Sequence, residues 1–215
     1  MEKYKIILFD LDGTLTDPKE GITKSVQFAL KRIGIDEPVL DNLDRFIGPP
    51  LQDSFADFYD LDNTQTNEAI AFYRERFVEN GMFENKLYTG ISLLLEQLKQ
   101  QYTLVVATSK PTVFAEQILS FFQIDNYFEI VVGSNLDGTR NSKAEIIQYI
   151  PDIYKDFKQD EFVMIGDRKH DIIGAVKNGI DSVGVTYGYG SAEELIDAGA
   201  TYVFGDVDQL NGFFS

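Results

Sequence analysis

Short apolar runs alternate with stretches of helical periodicity over much of this 215-residue chain. The apolar runs lie at 4–9, 102–108, 128–132, 162–166, 182–186 and 201–204. The stretches of helical spacing lie at 112–122, 142–150, 169–178 and 191–198. Apolar runs of this length, bounded by turn residues, are typical of buried strands, and their alternation with helices indicates a parallel sheet. We therefore predict an α/β fold with a Rossmann-like parallel sheet flanked by helices.

Residues 17–88 interrupt this alternation. The segments GITKSVQFALKRIG, LQDSFADFY and NEAIAFYRERFVEN are amphipathic and follow one another without a strand between them. A further helix at about 90–100 leads back to the sheet. We predict an all-helical domain at 17–88, inserted into a core made of residues 1–16 and 89–215, and the chain is long enough for both.

Charge and composition argue against several classes of function. The formal net charge is −16 and the isoelectric point is about 4.3, which disfavours a nucleic acid polymer or an anionic membrane as partner. No apolar stretch reaches the length of a membrane span, so we expect a cytoplasmic protein. The chain has no cysteine and one histidine, His170, which leaves carboxylates as the expected reactive groups.

Two carboxylates follow the first apolar run, in the stretch KIILFDLDGTLTD at 5–17. They are Asp10 and Asp12. Polar residues or glycine follow the second and fourth runs in the same way, namely Thr108, Ser109, Gly166 and Asp167. Ligands of open parallel sheets bind at the carboxyl ends of the strands, so we expect these residues to share one site.

Four motifs in this chain resemble those of the haloacid dehalogenase-like (HAD) hydrolase superfamily. They are DLDGTLT at 10–16, TS at 108–109, the lysine Lys143 and GDRKHD at 166–171, and they occur in the order of that superfamily. A narrower resemblance is to the phosphoglycolate phosphatase-like branch, which has a helical cap after the first motif. It rests on FDLDGTLTD, FIGPPL at 46–51, YTGI at 88–91 and ATSKP at 107–111.

This resemblance implies a Mg²⁺-dependent phosphatase that hydrolyses a small phosphomonoester, either phosphoglycolate-like or a nucleoside monophosphate. Asp10 would attack phosphorus and form an aspartyl-phosphate, and Asp12 would act as general acid and then as base. The metal ligands would be Asp10, the main-chain carbonyl of Asp12, Asp167 and Asp171. Thr108 and Lys143 would complete the catalytic set by stabilising the phosphoryl group.

The resemblance also suggests residues that contact the substrate. Those of the core are Gly13, Thr108, Ser109 and Lys143. Arg45 and Gly48 are the candidates in the cap, where the Gly-Pro-Pro of FIGPPL forms a stiff loop.

Several neighbouring residues have simpler interpretations. We interpret Lys110 as part of an exposed Lys-Pro pair at a helix entrance, and His170 as a surface residue or a neighbour of the site. Asp167 could cap the following helix as well as bind a metal. The GYG at 188–190 lacks the third glycine of a dinucleotide-binding loop.

Two alternatives of other kinds remain open from the sequence. One is a phosphomutase similar to β-phosphoglucomutase, which has the same four motifs. The other is a catalytically idle HAD-fold protein that binds a partner or ligand. We expect a small phosphorylated metabolite as partner, and either a monomer or a homodimer.

Overall fold

The computed structural model describes residues 3–214. The chain forms two compact units, a core unit of residues 1–17 and 87–215 and a helical unit of residues 18–86. The function of the helical unit as a cap stays a prediction. None of the helices within 3–214 has both the length and the apolar character needed to cross a membrane.

The core unit contains a six-stranded parallel sheet made of β1 (Ile6–Phe9), β4 (Thr103–Pro111), β5 (Ile130–Ser134), β6 (Phe162–Gly166), β7 (Asp181–Val185) and β8 (Tyr202–Phe204). The order of the strands across the sheet is β5-β4-β1-β6-β7-β8. Two short strands, β2 (Thr16–Asp17) and β3 (Lys86–Leu87), pair with each other. The predicted α/β fold class is confirmed.

Strand β1 lies in the middle of the sheet, and the sequence explains why. All four residues of its IILF segment are fully buried, and strands covered on both faces consist of continuous apolar residues. Ile6 and Leu8 point to one face, where they pack with Met164, Ile147 and Ala175 in one buried cluster.

The helices of the core unit alternate with these strands along the chain, and the last helix follows β8. They are α4 (Ile91–Leu98), α5 (Thr112–Phe121), α6 (Lys143–Ile153), α7 (Lys169–Lys177), α8 (Ala192–Asp197) and α9 (Val207–Phe214). Helix α6 begins at Lys143 because Ser142 and Glu145 form a capping box around its first turn. Helix α9 was not predicted, and its Phe214 packs edge to face against the ring of Tyr102.

The helical unit consists of α1 (Lys19–Arg32), α2 (Leu51–Tyr59) and α3 (Asn63–Arg76), with a 3₁₀ helix at Leu40–Phe46 and a π turn at Phe77–Gly81. Helix α3 begins four residues before the predicted segment because Asp62 and Gln65 form a capping box. Helix α1 and the π turn approach closely at two glycines. A Cβ atom on Gly21 would lie 1.8 Å from the carbonyl oxygen of Gly81.

Candidate active site

Polar side chains converge at the carboxyl ends of the three central strands. Asp10 follows β1, Thr108 lies near the end of β4, and Asp167 follows β6. Each of these three residues is at most 3% exposed. Because β1 pairs with both β4 and β6, the three strands bring these groups to one edge of the sheet, as predicted.

Lys143 links two of the acidic residues. Its Nζ lies 2.8 Å from Asp10 Oδ1 and 2.8 Å from Asp171 Oδ1, and it donates a hydrogen bond to the carbonyl oxygen of Ala107 (2.9 Å). Burial acts to lower the pKa of Lys143, but the two carboxylates outweigh it and raise the pKa above its ordinary value. Lys143 therefore remains an ammonium in this buried position.

Three carboxylates form a group that could hold a metal ion. Asp10, Asp167 and Asp171 each offer an oxygen, and these oxygens lie within 4.8 Å of one another. Burial raises the pKa of Asp167 well above its usual range, with help from Asp171 and Asp10. Burial also raises the pKa of Asp171 to about 6, against the opposing effect of Lys143. Lys143 contacts Asp10 and Asp171 of this group, and a set of three carboxylates with hard oxygen donors fits Mg²⁺.

Asp12 has a different partner, Lys110. Lys110 Nζ lies 2.8 Å from Asp12 Oδ2, and the two side chains are only 6% and 10% exposed. Burial raises the pKa of Asp12, although Lys110 opposes this effect. The other oxygen, Asp12 Oδ1, is buried and has no hydrogen-bond partner within residues 3–214. The interpretation of Lys110 as an exposed residue is thus wrong.

A turn of the chain at Gly13, the residue after Asp12, packs the main chain closely against the carboxylate of Asp167. Gly13 has φ +84°, and a Cβ atom there would lie 2.2 Å from Asp167 Oδ2. Glycine alone satisfies both conditions. Asp12 contributes no oxygen to the group of three carboxylates, so its predicted role as a metal ligand depends on its main-chain carbonyl.

The loop after β7 contacts and supports Asp167. The sequence analysis did not predict this support. Tyr189 N–H donates to Asp167 Oδ2 (2.8 Å), and the hydroxyl of Tyr187 donates to the carbonyl oxygen of Thr14 (3.0 Å). A Cβ atom on Gly188 would lie 2.5 Å from Asp167 Cβ. The sequence signal that could have indicated this loop was the glycine pair of GYG at 188–190, which follows the apolar run at 182–186.

The beginning of α7 corrects one detail of the sequence analysis. Arg168 occupies the N-cap position, and Asp171 Oδ2 accepts a hydrogen bond from the Arg168 N–H (3.1 Å). Asp167 is therefore not the N-cap. Its carboxylate instead accepts from Tyr189 N–H and from the Thr14 hydroxyl (3.3 Å). His170 is half-buried, and burial lowers its pKa.

The predicted substrate contacts lie in both units. In the core unit, Thr108 Oγ1 accepts a hydrogen bond from Lys110 N–H (3.3 Å), and Ser109 is half-buried. In the helical unit, Arg45 is exposed with its guanidinium 4.5 Å from the ring centre of Phe58, and Gly48 has φ +104°. Contact of any of these residues with a substrate stays a prediction.

Comparison with known families agrees with this arrangement. Residues 7–185 match the family described as haloacid dehalogenase-like hydrolase, and this range includes all four motifs. The chain belongs to the haloacid dehalogenase-like hydrolase family. The predicted resemblance to the HAD superfamily is confirmed.

Individual relatives are similar over nearly the whole chain. A 5'-nucleotidase of Pseudomonas aeruginosa is 50% identical, over 97% of this chain and 94% of its own length. A phosphoglycolate phosphatase of Colwellia psychrerythraea is 29% identical, over 98% of this chain and 96% of its own, which supports the predicted branch. A tyrosine-protein kinase PtkA of Mycobacterium tuberculosis is 37% identical, over 94% of this chain and 68% of its own.

A solved structure is similar as well. The crystal structure of a predicted phosphatase from Clostridium acetobutylicum has a TM-score of 0.95 and 50% sequence identity. The match covers 99% of this chain and 98% of that one.

Proposed function

We propose that this HAD-family chain is a Mg²⁺-dependent phosphatase that hydrolyses a small phosphomonoester through an aspartyl-phosphate on Asp10. The observation that carries this proposal is the buried contact of Asp10 with Lys143, beside two further carboxylates and near an Asp12 whose Oδ1 has no hydrogen-bond partner among residues 3–214. Among phosphomonoesters we favour a nucleoside monophosphate over phosphoglycolate, because the relative that is 50% identical is named a 5'-nucleotidase.

The first step transfers the phosphoryl group to the protein. A carboxylate oxygen of Asp10 forms a bond to phosphorus while the bond from phosphorus to the ester oxygen breaks. The departing oxygen takes a proton from Asp12, so that an alcohol leaves rather than an alkoxide. The products of this step are the alcohol, an aspartyl-phosphate at Asp10 and an ionised Asp12.

The second step returns the protein to its starting state. Asp12 accepts a proton from a water molecule as the water oxygen attacks phosphorus. The bond between phosphorus and Asp10 breaks, which releases inorganic phosphate and the Asp10 carboxylate. Asp12 is again protonated, so the cycle consumes one water and one ester.

Charge neutralisation supports both steps. The Lys143 ammonium lies against Asp10 and would pair with the phosphoryl oxygens there, and the buried Thr108 hydroxyl would donate a hydrogen bond to them. Asp10, Asp167, Asp171 and the main-chain carbonyl of Asp12 would hold Mg²⁺. When bound, Mg²⁺ supplies further neutralisation of the phosphoryl charge.

A panel of esters tests this proposal. We expect the purified protein to release phosphate from p-nitrophenyl phosphate and 5'-nucleoside monophosphates with Mg²⁺, and to stop in EDTA. Asp10→Asn should abolish turnover, whereas Asp197→Asn, an exposed aspartate at the end of α8, should leave it unchanged.

The outcomes separate the reaction from the substrate. Turnover that persists in EDTA or in Asp10→Asn would contradict the mechanism. A higher kcat/KM for phosphoglycolate than for any nucleotide would contradict the proposed substrate but not the proposed phosphatase reaction. Retention of the phosphoryl group on a second sugar hydroxyl or on tyrosine, without phosphate release, would replace hydrolysis by transfer.

A further inference from the structure

The Lys110 ammonium is a buried charge for which the proposed mechanism has no task. It lies 2.8 Å from Oδ2 of Asp12, a carboxyl group that also interacts electrostatically with Asp10 and Lys143. Burying an ammonium costs free energy that a good carboxylate partner only partly returns. An apolar residue of similar length would avoid this cost, so the placement of Lys110 calls for a functional explanation.

An irregularity of β4 directs Lys110 to Asp12. Ala107 pairs with Val132 and Pro111 with Ser134, so four steps along β4 match only two along β5. Such bulges re-aim side chains at the ends of strands. The bulge is held in place, because Ser134 Oγ donates to the carbonyl oxygen of Ser109 (2.9 Å).

Glycine at position 133 makes this irregularity possible. A Cβ atom on Gly133 would lie 2.3 Å from the carbonyl oxygen of Lys110 and 2.8 Å from the nitrogen of Thr112. The main chain on either side of Lys110 is therefore held by close contacts with β5. The fold thus determines the main-chain position of Lys110, and its side chain is buried rather than on the surface.

The two oxygens of Asp12 have different surroundings as a result. Oδ2 is in contact with Lys110, whereas Oδ1 is buried and has no hydrogen-bond partner within the described residues. A carboxyl group that is free to rotate would present either oxygen, in many orientations. Contact at Oδ2 restricts this rotation and leaves Oδ1 as the oxygen available to a bound ester.

We propose that Lys110 is a positioning residue, which holds Asp12 through Oδ2 so that Oδ1 delivers the proton to the departing ester oxygen. The proposal rests on the phosphatase function given above. In the first step the O–H bond at Oδ1 breaks as the leaving oxygen gains the proton. The negative charge that remains on Asp12 then forms in contact with the Lys110 ammonium, which stabilises it.

Esters with different leaving groups test this role. An alkyl ester such as 5'-AMP requires proton delivery because its leaving group is a strongly basic alkoxide, whereas p-nitrophenolate is stable without a proton. Steady-state kcat/KM is the quantity to compare, because it reports only the steps up to release of the alcohol. Later use of Asp12 as a base therefore does not enter the comparison.

We expect Lys110→Met to lower kcat/KM for 5'-AMP by about 10- to 100-fold, which is a part of the full effect of a general acid. For p-nitrophenyl phosphate we expect kcat/KM to fall by about 3-fold or less. Lys110→Arg keeps the cation and should restore the wild-type ratio of the two values. Lys177→Met changes an exposed lysine of α7 and should leave both values unchanged.

Other results would overturn the proposal. An equal loss with both esters would assign Lys110 to the phosphoryl group, and no loss with either would make the ion pair purely structural. Lys110→Gln replaces Lys110→Met if thermal melting shows that the latter does not fold.

Crystal structures provide a measurement that does not depend on turnover. We expect the Asp12 carboxylate to rotate away from its wild-type orientation in the Lys110→Met or Lys110→Gln protein. An unchanged Asp12 would refute the positioning role even if wild type hydrolysed neither ester. Absence of hydrolysis of both esters by the wild type would contradict the phosphatase function but not the positioning role. Failure of the proposed function and failure of the positioning role are therefore distinguishable.

Discussion

The glycine in the loop after β7 provides a sharp test of the site geometry. In Gly188→Ala, the new Cβ atom would lie 2.2 Å from the carbonyl oxygen of Gly13 and 2.5 Å from both Cβ and Oδ2 of Asp167. Relief of these overlaps requires a shift of roughly 1 Å, because non-bonded carbon atoms are most favourable at about 3.5 to 4.0 Å. A shift of this size disrupts the hydrogen bond from Tyr189 N–H to Asp167 Oδ2.

The expected loss of stability follows from these contacts. Overpacking typically costs about 1 to 3 kcal/mol, and a buried polar group that loses its hydrogen bond costs about 1 to 3 kcal/mol. Together they predict a decrease of about 2 to 6 kcal/mol in the free energy of unfolding, or about 4 to 24 °C in Tm for a chain of this size. Loss of a contact that orients a ligand should also weaken Mg²⁺ binding by about 10- to 100-fold.

Thermal melting in EDTA and calorimetric titration with Mg²⁺ measure the two effects separately. Gly212→Ala is the matched control, because its new Cβ meets no atom within 4 Å among residues 3–214 beyond its chain neighbours and the backbone of its own helix α9. We expect the control to keep both the Tm and the Mg²⁺ affinity, or to gain slightly in Tm. A Gly188→Ala protein with the wild-type Tm and affinity would refute the close packing of this loop on Asp167.

Three further changes test other contacts. Lys143→Met leaves two buried carboxylates without their ammonium partner. We expect urea unfolding in EDTA to show that the free energy of unfolding falls by about 3 to 5 kcal/mol. Gly21→Ala places a Cβ atom 1.8 Å from the carbonyl oxygen of Gly81. We therefore expect the free energy of unfolding of the helical unit to fall by about 1 to 3 kcal/mol, as measured by circular dichroism on heating. Glu84 accepts two hydrogen bonds from Arg76 (2.8 and 3.0 Å), which lower its pKa below the ordinary 4.5. This stabilisation is present above pH 4.5 and is lost as the pH falls through the lower folded value. Glu84→Gln should therefore cost about 1 kcal/mol at pH 7, and urea midpoints of variant and wild type should converge at acid pH.

The charge of the whole chain and the charge of the site have opposite consequences. A formal net charge of −16 repels an anionic ester at long range, and salt screens this repulsion. Close to Asp10 and Asp12, Lys143 and Lys110 place two buried ammonium groups among the carboxylates. We expect binding of an anionic ester to depend on these local cations and on the metal, since the overall field opposes it.

Much of the candidate site was accessible from the sequence because its residues occupy positions that local patterns define. Asp10, Thr108 and Asp167 follow or end apolar runs, and such runs predict both the strand and the edge at which it ends. Lys143 was predictable as the first residue of a helix, since Ser142 and Glu145 form a capping box.

Lys110 was the main error, and its cause is physical. A lysine before a proline is commonly exposed, and nothing in its neighbourhood along the chain indicates a carboxylate partner. The bulge in β4 and the missing side chain at Gly133 decide its direction, and both depend on pairing with β5. The interaction of Tyr189 with Asp167 was missed for the same reason, because it joins two loops through the main chain.

The sequence by itself determined the α/β class, the order of strands and helices along the chain, and the identity of the acids at the strand ends. These follow from burial and backbone preference, which act over a few residues. Only the tertiary structure decided which buried charges are partners: Lys143 with Asp10 and Asp171, and Lys110 with Asp12. These ion pairs form between side chains that lie far apart in the sequence and that the sheet brings together. No local sequence pattern predicts the distance between two such side chains.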